Sequence, residues 1–155
     1  MTGRVFRVIA VAAMLPLAAL ARPVNAQATF SATQNLVFGQ LTPGVAKHVP
    51  TSDVINHGEY HMTGEGTFNV LFVLPTVLQS TTKAATIPLT FSATDAAITY
   101  KGITTSFSPS AGTSVRLTHG QQDADIKLGG TASPSAGVLA GTYTATITVY
   151  CIQTG

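Results

Sequence analysis

Tryptophan is absent from this sequence, cysteine occurs once, and only 9% of the residues are charged. Each scarcity excludes something. The lone thiol, Cys151, closes no intramolecular disulfide, so stability has to come from packing. The few charges do not signal disorder, because 45% of the residues are hydrophobic and can build a core. Beyond residue 26 the cations are Lys47, Lys83, Lys101, Arg116 and Lys127 against six acids, a formal charge of −1. They form no cluster, so no nucleic-acid surface is expected, and the overall charge of +2 belongs to the N-terminus. Helical periodicity is missing beyond residue 26. So are Gly-x-Ser-x-Gly, a phosphate-binding Gly-Lys-Ser/Thr loop and a glycine-punctuated calcium loop. A non-enzymatic protein is expected.

The N-terminus has the order of an export signal. Arg4 and Arg7 form a basic start, residues 8–21 an apolar run, and Val24-Asn25-Ala26 a small-residue cleavage site. Ala26-Gln27-Ala28 is a second candidate site. The apolar run contains Pro16 and falls short of the roughly 20 residues of a membrane span. We expect a signal peptide over residues 1–26, the alternative being an N-terminal anchor. A single domain is expected over 27–155, located in the periplasm, at the cell surface or outside the cell.

The clearest pattern lies near the end, over residues 138–152. Tyr143, Ala145, Ile147, Val149 and Cys151 alternate with Thr142, Thr144, Thr146, Thr148 and Tyr150. A period of two puts the first, apolar set on one face of a strand and the threonine-rich set on the other. One long closing strand is expected. Residues 67–74 form a near-continuous apolar run, the mark of a strand covered on both faces or crossing the sandwich core, and Pro75 ends it. Residues 28–39, 45–49, 59–63, 86–94, 97–100, 103–107, 113–119 and 125–128 supply further short strands. Residues 79–83 and 129–137 read as loops. About eight to ten short strands with turns between them predict an all-β antiparallel sandwich or barrel. Ala28, Phe30 and Ala32 alternate at the start and serve either as the domain's own first strand or as a strand donated to a neighbour. The well-filled closing strand favours the first.

Three stretches in this order resemble a known family. They are Phe38-Gly39-Gln40-Leu41-Thr42-Pro43-Gly44, then Gly66-Thr67-Phe68 running on to Val73-Leu74-Pro75. The third is Leu128-Gly129-Gly130-Thr131 with Ala140-Gly141-Thr142-Tyr143-Thr144-Ala145-Thr146-Ile147-Thr148-Val149. Together they resemble the bacterial exported proteins called domain of unknown function 4402, related to pilin-like and spore coat protein U type domains. The resemblance implies an immunoglobulin-like β-sandwich and a secreted or surface location. It brings no catalytic residues, and the chain differs from the coat-protein and fimbrial relatives in lacking a cysteine pair.

Candidate chemistry is sparse. His57, Glu59 and His61 alternate, so a strand puts them on one face, and His48 joins from a neighbouring strand; imidazoles with a carboxylate can bind zinc or copper. The bland reading is a hydrated polar edge, and we assign no metal or cofactor. Asp123 and Asp125 share a face roughly 6.5–7 Å apart, more simply a solvated turn than a calcium site. Tyr60, Tyr100, Tyr143 and Tyr150 offer a sugar platform or, more simply, core and rim residues. The expected function is that of an exported structural or adhesive surface protein, fimbrial-subunit-like. It would assemble with itself or with other surface proteins through sheet edges. The alternative is a small periplasmic ligand- or metal-binding module using His48, His57, Glu59 and His61.

Overall fold

The computed structural model describes residues 28–119 and 122–154. The export signal and the anchor alternative fall on residues 1–26 and lie outside them. Every ordered element described is a strand, and every pairing is antiparallel. The strands are β1 (Thr29–Gln34), β2 (Lys47–Val49), β3 (Gly58–Thr63), β4 (Gly66–Val73), β5 (Val77–Ser80), β6 (Thr86–Thr90) and β7 (Ala96–Tyr100). They continue as β8 (Ile103–Phe107), β9 (Thr113–Leu117), β10 (Asp123–Leu128), β11 (Gly130–Ala132), β12 (Tyr143–Thr144) and β13 (Thr148–Gln153). No helix among the described residues is long and apolar enough to cross a membrane.

Alternation decides which face each strand buries. In β10, Ala124, Ile126 and Leu128 are buried while Asp123, Asp125 and Lys127 face outward. In β6, Ile87 and Leu89 are buried between exposed Thr86, Pro88 and Thr90. The β7–β8 hairpin turns on Lys101 and Gly102 at φ 53° and 72°, the two positive angles that a two-residue turn with the strands' own twist requires.

The strands form three sheets, ordered β1-β3-β10-β7-β8, β13-β4-β9 and β12-β5-β6-β11-β2. The first two face each other across Met62, Phe68, Val70, Ile98, Val115, Leu117, Ala124 and Ile126. The third wraps a second core of Phe38, Val49, Leu78, Ile87, Leu89 and Ala132. Chains run from one region to the other: β10 passes into β11 at Gly129, and β4 into β5 at Leu74-Pro75-Thr76. The arrangement is all-β and consistent with a β-sandwich.

Several expectations are corrected. The closing stretch is two strands, not one. Thr148 pairs with Val73 and Thr144 with Gln79, so residues 145–147 lie against the longer segment 74–78. Pro75 offers no N–H to a ladder, and the surplus residues bulge there. The inward–outward parity of the stretch is as read, but its inward residues are only half-buried and Ala145 is exposed, because β12 and β13 are borders. β4 is not covered on both faces: Phe68 and Val70 are buried, whereas Leu71 is 41% and Val73 57% exposed. Ala93 lies outside β6 and is exposed. Residues 79–80 and 130–132, read as loops, belong to β5 and β11. β1 pairs with β3 of its own chain, the favoured of the two expectations for it.

Candidate functional site

The histidines do not gather. β2 carries His48 to Asp95, with Nε2 2.8 Å from Oδ1. His57, just before β3, lies 3.3 Å from Glu59. On the outer face of the first sheet His61 sits opposite Asp125, with Nδ1 2.7 Å from Oδ1. His119 lies 3.7 Å from Glu65. Each histidine thus has its own acid partner. His48 is opposite Thr131 of β11 and does not join His61. Among the described residues no three metal-ligating side chains cluster. The shared-face expectation for His57, Glu59 and His61 fails because His57 precedes the strand and is buried, leaving Nδ1 without a partner.

The Asp95 side chain is only 3% exposed. Its Oδ2 accepts the Ser92 N–H at 2.7 Å. Burial is the largest influence on its acidity and pushes the pKa up. The Ser92 and His48 hydrogen bonds together outweigh it and hold the carboxyl below its ordinary value. This makes Asp95 a structural clamp between β2 and the start of β7.

The carboxylates and tyrosines also disperse. Asp123 stands opposite Thr63 while Asp125 is engaged by His61. Tyr60 stacks inside on Phe30 at 5.8 Å and meets Phe72 edge-on, and burial raises its pKa. The Tyr100 hydroxyl meets Thr118, and Tyr143 donates to the Leu139 carbonyl at 2.6 Å. Only Tyr150 faces outward from a regular strand, 44% exposed. Cys151 turns inward, its Sγ 3.1 Å from Met62 Sδ. An open cavity of roughly 540 Å3 lies at the bulge between Pro75, Thr76, Thr144 and Thr146. Its mixed, uncharged lining contains no titratable group.

What remains are the sheet borders. β1 and β8 flank the first sheet, and β13 and β9 flank the second. β1 and β13 lie on the same flank, since Cys151 of β13 reaches Met62 of β3, the neighbour of β1. The sequences Thr-Phe-Ser-Ala-Thr-Gln, Ile-Thr-Thr-Ser-Phe and Thr-Val-Tyr-Cys-Ile-Gln of β1, β8 and β13 carry no charge and no proline. Edge strands are normally guarded by such residues or by bulges. Only β1 has an irregularity, between Ala32 and Gln34.

The ladders fix which backbone groups are without a partner among the described residues. The Thr154 N–H donates to Thr67 O, so even-numbered residues of β13 bond β4, and Val149, Cys151 and Gln153 turn N–H and C=O to the open side. The Gly64 N–H donates to Gln122 O, which directs even residues of β3 to β10 and leaves Phe30 and Ala32 of β1 facing outward. The two-residue hairpin likewise leaves Thr104 and Ser106 of β8 free. Sequence reading did not locate these borders. The one legible signal was the absence of charge. No protein-family model and no curated protein matches the chain.

Proposed function

We propose that this chain is an exported, non-enzymatic surface protein of immunoglobulin-like, pilin-like build, serving a structural or adhesive role through β-strand edge pairing. One observation carries the reading: among the described residues three borders, β1, β8 and β13, present free backbone groups on uncharged, proline-free strands. Such borders accept a further strand, with side chains setting the register. Export rests on the basic, apolar and small-residue order of residues 1–26. Relation to the family named above rests on the three quoted stretches.

The test uses residues 27–155 purified from the periplasm, examined by solution mass and electron microscopy. Ala32→Pro, Ser106→Pro and Gln153→Pro each remove an outward N–H and leave the internal ladders intact. Assembly should weaken with at least one of them. Assembly indifferent to all three, with unchanged melting, would sink the reading.

A further inference from the structure

We propose that β13 pairs with β13 of a second copy, antiparallel about a two-fold axis through Cys151, joining the two three-stranded sheets into one of six strands. The inference rests on the edge-pairing reading above and names its partner. Free groups at Val149, Cys151 and Gln153 fix the geometry: Cys151 faces its own copy, and Val149 faces Gln153 on either side. Each of these pairs exchanges two backbone hydrogen bonds, as antiparallel strands do at such positions.

The strand is complementary to itself in this register. On the outward face Tyr150 falls opposite Ile152 of the copy and Thr148 opposite Thr154. Aromatic to β-branched and Thr–Thr pairs are among the stabilising cross-strand combinations. No charge anywhere in β13 opposes its like across the axis. Tyr150 already stands opposite Leu71 within the chain, and Val73 lies beyond, opposite Thr148. All three are exposed in the single chain. Pairing carries this apolar stripe across the axis and covers Tyr150 with the copy's Ile152. The other borders lack this property. β8 leaves backbone groups unpaired only at Thr104 and Ser106, β1 is bulged, β9 carries Arg116, β2 carries Lys47 and β12 is two residues long. An isologous contact of this kind closes at two chains and does not propagate.

The experiment measures sedimentation of residues 27–155 across concentration, with Gln153→Pro and Tyr150→Lys. Tyr150 is outward and exposed, so the lysine does not disturb the core. Both variants should melt like the parent and weaken the dimer by about tenfold or more. Tyr150→Cys in a Cys151→Ser background should cross-link with a short bis-thiosulfonate, and Thr104→Cys should not. A chain that stays monomeric at every concentration overturns the proposal, as does one that captures an added strand peptide but never a second copy. If assembly persists in both β13 variants and disappears with Ala32→Pro or Ser106→Pro, edge pairing stands and the two-fold at β13 falls.

Discussion

At the scale of single residues, one buried and one half-buried group have testable acidities. Asp95 is held below 3.8 by Ser92 and His48 against the opposing effect of burial. A carboxyl with a depressed folded value stabilises the fold fully above its unfolded value. That contribution is lost as pH falls through the lower folded value. Melting temperature should therefore drop on the acid side of pH 4, and Asp95→Ala should flatten the drop. The same substitution orphans the Ser92 N–H and should cost about 2–3 kcal/mol at neutral pH in urea titrations. Cys151 behaves the opposite way: burial pushes its thiol up to about 11. At pH 8 iodoacetamide should modify native protein on the order of a hundredfold more slowly than protein in urea. Equal rates would place the thiol at the surface.

At the scale of elements, Gly129 is the position where a strand changes sheets. Its N–H donates to Asp95 O at 2.7 Å, and a Cβ there would meet the Val49 carbonyl of β2. Gly129→Ala should lower stability by about 1–3 kcal/mol, whereas Gly137→Ala, with open space around it, should be near neutral in thermal melts. Much of this level was readable in advance. The alternation of Ile87 with Leu89 identified a strand and its buried face, because a pleat has a fixed period, and residues 125–128 were legible as a short strand. β5 and β11, and the break between β12 and β13, were not readable. β5 and β11 are four and three residues long, too short for a period to show, and they exist because neighbours complete their ladders. The exposure of Leu71 and Val73 was hidden for a related reason: an apolar run does not say whether a second layer covers it. Nor could the spacing of His57, Glu59 and His61 reveal that the strand begins at Gly58. The pairing of His61 with Asp125 is a product of cross-strand register, which the linear order does not contain.

At the scale of the whole molecule, the two cores raise the question of one folding unit or two. Met62 and its neighbours fill one, and Leu89 and its neighbours the other. The chain passes between them six times, and several of these passages are short. β10 continues into β11 through Gly129, β4 into β5 through Pro75, and β6 into β7 through the turn that Asp95 closes. Asp95 also bonds His48 of β2, so its loss is felt in the third sheet as well as the first. Each core is small, and with no disulfide to staple it neither is expected to survive alone. Met62→Ala and Leu89→Ala, each at an almost fully buried site, should each cost about 2–5 kcal/mol. If the domain is one cooperative unit, each variant keeps a single melting transition, and amide exchange at Ile126 and at Ile87 accelerates by the same factor. Acceleration confined to the core that carries the substitution would show two independent units and contradict the single domain expected over residues 27–155.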